Sequence, residues 1–271
     1  MIGFYRIRRG LLRFEIPSQS FGWPVRRRVR LLALLAVRNQ ANLLPGYVAN
    51  AGPQVDGIVA LDDGSSDGSA EFLESRPEVL QVLRISPGRT QWDEVGNYRA
   101  LVAAGLRHGA DWLLSLDADE RMEREFRARC ERVIRRGRFL RYTAYAVHML
   151  ELWDSTREYR VDGIWGSKTP ARLFRARTDH EFDTRPLHAT KAPLQARIAR
   201  SFPVADLNLY HLGMLNREIR EARQRRYEIL DPENRWQPGV GYAYLTDETG
   251  LRLRQIAAGR EYLEGDGKLL D

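Results

Sequence analysis

The chain has 271 residues, 43% of them hydrophobic and 10% aromatic, which is ordinary for a soluble globular protein and enough for one large domain with a full core. Its one cysteine, Cys130, excludes an internal disulfide framework, fits a reducing compartment and, set in a charged helical run, does not read as a catalytic thiol. The net charge of +7 belongs to residues 1–30, where eight arginines stand against a single acid, Glu15, and the body beyond is balanced.

That N-terminal arm interleaves Phe4, Tyr5, Ile7, Leu11, Leu12 and Phe14 with its arginines. Such a mixture suits contact with an anionic membrane surface or a nucleic acid, and it equally suits a basic patch folded onto the body. No stretch approaches the ~20 apolar residues that span a bilayer. No apolar segment with a small-residue cleavage site follows the early charges either. The expected location is cytoplasmic, free or peripheral at a membrane.

Residues 31–37 form a continuous apolar run, expected as a first buried strand, ending in Arg38-Asn39-Gln40. A helix should follow from about Asn42, carrying Leu43, Leu44, Tyr47 and Val48 and stopping near Gly52-Pro53. Residues 55–61 read as a second strand with D-D-G-S-S-D-G (62–68) at its end, 69–75 as a short helix and 79–85 as a third strand. Val95, Leu101, Val102 and Leu106 recur at helical spacing over 94–109, ahead of a fourth strand at 112–116. Strands alternating with helices imply a doubly wound, mostly parallel α/β sheet over 31–120. Ligands of such sheets sit at the carboxyl ends of the strands. Both acidic clusters, 62–67 and 117–120, fall just past strand ends and so on one sheet edge.

Past Glu120 the texture changes. An amphipathic, arginine-rich helix is expected over 123–137, and antiparallel strands with long loops over 139–175, a region rich in aromatic and β-branched residues. Residues 196–211 read as another strand or two closing on Leu209-Tyr210-His211. Residues 216–230 read as a charged helix stopped by Asp231-Pro232, and 247–264 as a last helix.

In D-A-D-E (117–120), strand alternation puts Asp117 and Asp119 on one side with Ala118 leaving room between them. Two carboxylates there, with little basic side chain packed on them, call for a cation, and a divalent metal with a phosphorylated substrate supplies one. The plainer reading is a solvated acidic cap on the next helix. Neither G-x-G-x-x-G nor G-x-x-x-x-G-K follows the first strand, where R-N-Q-A-N stands. A nucleotide would therefore be held by carboxylates plus metal, not by a glycine cradle.

Val37-Arg38-Asn39, the stretch V-D-G-I-V-A-L-D-D-G-S-S-D-G-S (55–69), Asn97-x-x-Ala100-Leu101 and D-W-L-L-S-L-D-A-D-E (111–120) together resemble family 2 glycosyltransferases of the GT-A fold. The likeness is close over 31–120 and extends weakly through 171–175, 186–188 and 210–213. The resemblance implies a GT-A-type sheet with a C-terminal α+β region on the acceptor side. The expected divisions are a basic arm (1–30), a nucleotide-sugar half (31–120), an acceptor-side half of the same domain (121–246) and a helical tail (247–271). It also implies a hexosyltransferase-like enzyme using Mn²⁺ or Mg²⁺. A UDP- or GDP-sugar would be the donor, and a hydroxyl of a polysaccharide, lipid-linked saccharide or small metabolite the acceptor.

Residue by residue, the resemblance places Asn39, Asp62, Asp63 and Asn97 at the donor. Asp63 and Asp62 would accept from the base imide or ribose hydroxyls, since an ionised carboxylate only accepts. Asp67, Gly64 and Gly68 read as turn and helix cap. Asp119 would bind the metal, and Asp117 the ribose or a metal-bound water. His211 is similar to the histidine that completes the metal shell in such enzymes, with a satisfied core histidine as the plainer alternative. His188 matches one placed near the acceptor. Glu120 contacts acceptor or sugar, or only caps the next helix. His108, His148 and His180 read as structural.

Two positions depart from the family pattern. Asn39-Gln40 stands where many relatives carry Asn-Glu, and Gly96 where many carry an arginine, which leaves Arg89 or Arg99 to meet the diphosphate. An inverting transfer needs a carboxylate base on the acceptor side. Asp154, Glu158 and Asp162 lie in that region with nothing in their spacing to choose among them, and a retaining enzyme would need none. Two further readings stay open: a glycosyltransferase acting on nucleic acid held by the basic arm, and a non-catalytic relative that binds nucleotide-sugars.

Overall fold

The computed structural model describes residues 28–86, 93–185 and 190–263. The expectations for the arm up to residue 27, for Arg89, for His188 and for residues 264–271 lie outside the described residues.

The first half alternates β1 (Leu31–Val37), α1 (Leu44–Ala51), β2 (Ile58–Asp62), α2 (Ser69–Glu74), β3 (Val79–Arg84), α3 (Glu94–Arg107) and β4 (Trp112–Ser115). β1 lies between β2 and β4 with β3 outside β2, and all three pairings are parallel. β1 is apolar throughout because both of its faces are covered. Leu31, Ala33, Leu35 and Val37 pack toward Tyr47 and Val48 of α1, while Leu32 and Leu34 pack toward Leu101 and Val102 of α3. Gly105 lets α3 come close to the sheet, since a Cβ there would lie 2.7 Å from Leu113 Cδ2.

The second half adds β5 (Glu120–Met122), α4 (Phe126–Phe139), β6 (Ala144–Glu151), β7 (Glu158–Arg160), β8 (Ala171–Arg175), β9 (Val204–His211), α5 (Arg217–Leu230) and β10 (Leu253–Gln255). One eight-stranded sheet results, in the order β3-β2-β1-β4-β8-β6-β9-β5. β8 runs antiparallel to both β4 and β6, and β6 runs parallel to β9, so β1, β2, β4, β6 and β9 all end at one edge. The expected doubly wound, mostly parallel sheet with an α+β second half is the architecture found. β5 pairs antiparallel with β9 at the far side, although only residues 116–119 separate it from β4.

The last helix expected from residue 247 does not form. Among the described residues of this stretch, β10 pairs antiparallel with β7 instead. Gly250 and Gly259, at φ 72° and 77°, break the helical run. Its apolar residues go to separate clusters: Leu251 packs near Trp153, and Ile256 and Tyr262 pack near Tyr210. Among the described residues no helix is long and apolar enough to cross a membrane.

Candidate active site

The D-A-D-E turn carries β4 into β5 and is closed from both sides. The Glu120 N–H donates to the Asp117 carbonyl at 3.0 Å, and the Asp117 N–H donates to the Glu120 carboxylate at 3.0 Å. Buried Arg121 clamps it from below, donating to the carbonyls of Ala118 and Glu120, both at 2.9 Å. Leu212, just past β9, donates its N–H to the Asp119 carbonyl at 2.7 Å. These bonds leave the Asp117 and Asp119 side chains to project from a rigid backbone.

β9 ends on His211, directly opposite Glu120 in register. Its Nε2 lies 3.0 Å from Asp119 Oδ2, and its Nδ1 is bonded to Glu151 at the end of β6. Arg223 of α5 approaches the same pair, 3.2 Å from His211 Nε2 and 3.5 Å from Asp119 Oδ2. The opening depends on Gly213. A Cβ there would lie 2.6 Å from Asp119 Oδ2 and 2.8 Å from His211 Nε2.

Asp117 is not bare, against the expectation that little basic side chain would pack on these acids. Lys191 Nζ sits 2.6 Å from its Oδ1 and Arg172 Nη2 3.1 Å from its Oδ2. The same Arg172 nitrogen bonds Glu120. Lys168 in turn holds Glu151 at 2.8 Å. Burial works against each ionised carboxylate, but the cations outweigh it at three of them. Lys191 and Arg172 hold Asp117 well below the usual carboxylate range, His211 and Arg223 do the same for Asp119, and His211 and Lys168 for Glu151. At Glu120 burial wins and pushes the carboxyl up to about 7, with Asp117 adding to it and Arg172 opposing. At His211 burial disfavours the imidazolium, yet Glu151 and Asp119 on its two nitrogens raise its pKa to about 10.

These side chains line a cavity of about 620 Å³ at the edge where β4, β6 and β9 end. Glu94 at the start of α3 and Tyr227 of α5 complete its wall. Glu94 differs from the other carboxylates, having no hydrogen bond or ion pair among the described residues. Burial raises its pKa, while nearby Lys191 only partly offsets that.

The remaining sequence candidates fall elsewhere. Asp62 and Asp63 are buried at the end of β2 and do not line the cavity. Asp62 Oδ2 accepts from the Ser65 N–H at 3.0 Å, and Asp63 stands 3.8 Å from Arg38. Asn39, at φ 55°, accepts from the Ser66 N–H at 2.9 Å, which ties the loop after β1 to the loop after β2. Asp67 accepts from the N–H groups of Ser69 and Ala41, the turn role read from the sequence. Asn97 is buried within α3, whereas Arg99 is exposed on it. Asp154 and Asp162 lie outside the cavity wall. Arg220 holds the first at 2.8 Å and Arg160 the second. Asp154 follows β6, which ends at the site, whereas Asp162 follows β7, which runs back from that edge; arginines of α5 and β7 pair with the two carboxylates.

Sequence reading did not single out Glu94, Glu151, Lys168, Arg172, Lys191 or Arg223. Two signals were available. Glu151 is an acid closing an apolar strand, as Asp117 is, and Arg172 lies in a weakly matching motif. The lysines stand in irregular segments that carry no pattern.

No family model matches the chain. It is 26% identical over 258 residues to an uncharacterized protein of Mycobacterium tuberculosis, and equally to one of Mycobacterium bovis. Those matches cover 89% of this chain and 63% of each relative, so the chain spans less than two-thirds of the length of the curated relatives it matches. Among solved structures, it is similar to Staphylococcus aureus TarS 1-349 at 12% identity and TM-score 0.45, over 74% of this chain and 66% of that one. It is also similar to glucosyl-3-phosphoglycerate synthase from Mycobacterium tuberculosis, solved in complex with Mn²⁺, UDP-glucose and phosphoglyceric acid. That match has 15% identity and TM-score 0.32, over 46% of this chain and 44% of that one.

Proposed function

We propose that this chain is a metal-dependent glycosyltransferase that moves a sugar from a UDP- or GDP-linked donor to a hydroxyl of a saccharide, lipid-linked saccharide or small metabolite. One observation carries the reading: Asp119 Oδ2 in the turn after β4 and His211 Nε2 at the end of β9, 92 residues apart in sequence, meet at 3.0 Å above a glycine. Two ligand atoms on bonds of about 2.1 Å at right angles lie about 3 Å apart, so the pair suits adjacent positions on one octahedral Mn²⁺ or Mg²⁺. Glu151 on Nδ1 supports this, because metal-binding imidazoles donate their other N–H to a carboxylate that fixes ring and tautomer. Among the described residues no group of three or more His, Cys, Asp and Glu forms a metal cage. Two protein ligands fit an ion whose other positions go to diphosphate oxygens and water.

An ion held by Asp119 and His211 would neutralise the diphosphate leaving group as the anomeric bond breaks. Lys191 and Arg172 carry charged N–H donors that a diphosphate oxygen can share with Asp117. Asp117 accepts from the ribose. Asp62 Oδ1 is buried without a hydrogen-bond partner among the described residues, which makes it the acceptor for a base imide or ribose hydroxyl. Glu120, locked by Arg172 and the turn, positions Asp117 rather than moving protons.

The base is Glu94, the cavity carboxylate with no cation bonded to it among the described residues and with a pKa that burial raises. Glu94→Gln should lower kcat by about 10²- to 10⁴-fold with little change in donor affinity and should remove the acidic limb of the pH–rate profile. A variant that keeps the wild-type rate and limb would remove Glu94 from that role.

A thermal-shift panel of UDP-, GDP-, CDP- and TDP-sugars with and without Mn²⁺ tests the whole reading. Ligand bound to the native state alone raises Tm, by about 2.7 kcal/mol of added stability at a hundredfold excess over Kd. A UDP- or GDP-sugar should shift Tm only when Mn²⁺ is present. A panel with no shift, or with shifts indifferent to metal, would refute it.

A further inference from the structure

The outward face of α4 is built differently from that of α5. On α4, Phe126, Cys130, Ile134 and Gly137 point into the sheet. The opposite stripe, at i, i+3, i+4 and i+7, is Arg132, Arg135, Arg136 and Phe139, with no acid among them. All four are exposed, Phe139 by 89%, and Leu140 beside it by 61%. The arginines nearer the body are paired, Arg127 with Asp56 and Glu131, and Arg129 with Glu123. Arg132, Arg135 and Arg136 have no ion pair among the described residues. On α5, by contrast, Arg217 and Arg225 both pair with Glu221.

Position matters as much as charge. α4 ends just before β6 begins, beside Tyr145 and Trp112, at the sheet edge opposite the cavity. The chain enters the body along the same helix, where Arg28 lies 3.7 Å from Glu131 and Arg127 donates to the Val29 carbonyl at 2.6 Å. The described chain therefore begins beside this helix.

We propose that the Arg132–Arg135–Arg136 face of α4 docks on an anionic lipid surface, with Phe139 and Leu140 entering the headgroup layer. Arginine gains where phosphate headgroups concentrate negative charge, and its guanidinium reaches phosphate while the alkyl stem stays in apolar surroundings. Phe139 and Leu140 decide between lipid and nucleic acid. A phosphate backbone would satisfy the arginines but offers nothing to the apolar Phe139 and Leu140 side chains, whereas the interfacial layer takes up both. Docked this way, the protein turns its cavity away from the membrane.

The test is co-sedimentation of the full chain with phosphatidylcholine vesicles, with and without phosphatidylglycerol, over a salt series. Wild type should pellet with the anionic vesicles only, and less as salt rises. Replacing Arg132, Arg135 and Arg136 by Ala should weaken binding about fivefold per residue, on the order of a hundredfold together. Phe139→Asp with Leu140→Asp should weaken it with all arginines present. Both sets are exposed positions, and an unchanged melting temperature and unchanged Mn²⁺ response would show the fold and cavity intact. Equal pelleting with neutral vesicles, no pelleting at all, or wild-type binding by the arginine variant would overturn the proposal. So would loss of duplex-DNA binding in that variant alongside unchanged vesicle binding, which would assign the face to nucleic acid.

Discussion

Asp119→Asn is expected to cost sugar transfer about 10³-fold in kcat/KM, roughly 4 kcal/mol of transition-state stabilisation, while leaving the protein folded. The amide has nearly the shape of the carboxylate, so the turn, the Leu212 N–H bond to the Asp119 carbonyl and the Arg121 clamp all survive. What disappears is the one negative charge that faces both His211 Nε2 and Arg223. Steady-state kinetics across a Mn²⁺ titration, with thermal melts as the control for folding, read the effect. Activity that survives the substitution, or wild-type activity indifferent to EDTA, would end the metal-dependent mechanism.

Arg172→Met is expected to be the most destabilising single change at the site, by about 3–5 kcal/mol near pH 8. The guanidinium is buried between Asp117 and Glu120, and an apolar replacement strands the two acids in a low-dielectric wall. Asp117 keeps Lys191, so Glu120 carries most of the deficit. The deficit should depend on pH in a definite direction. With a folded pKa near 7 against an ordinary value of 4.5, Glu120 binds its proton more tightly in the native state across that interval. Stability therefore falls as pH rises through it. Removing Arg172 takes away the attraction that opposes burial and extends the interval upward, so the variant should approach wild type as pH falls toward 5. Denaturant midpoints at pH 5 and pH 8 decide the matter. A deficit equal at both would assign the loss to packing and not to charge.

Much of the first half was legible because its strands are covered on both faces. Burial on two sides demands unbroken apolar runs such as 31–37 and 58–61. The position of Asp119 followed from the same pattern, since an acid just past a parallel strand must lie at the ligand edge. His211 was reachable because it closes a strand. The cations on Asp117 were not. Lys191 stands 74 residues from Asp117 in an irregular segment, and only the completed fold brings them together. Asp154 and Asp162 show the converse: their spacing gave no sign of the arginines, Arg220 and Arg160, that pair with them in the fold. The tail misled because helical spacing of its apolar residues hid two glycines in left-handed backbone.

The turn between β4 and β5 bears on the shape of the whole sheet. Three strands stand between those two, so four strand-to-strand steps of ~4.8 Å would separate them by about 19 Å if the sheet were flat. A turn closed by two hydrogen bonds between Asp117 and Glu120 reaches only a fraction of that distance. The sheet must roll until its far strand returns beside β4, making a trough with β8, β6 and β9 as its floor. The width of that trough is fixed by covalent reach, as a drawn loop fixes the mouth of a bag. Lengthening the 117–119 segment would loosen it even with every core side chain in place.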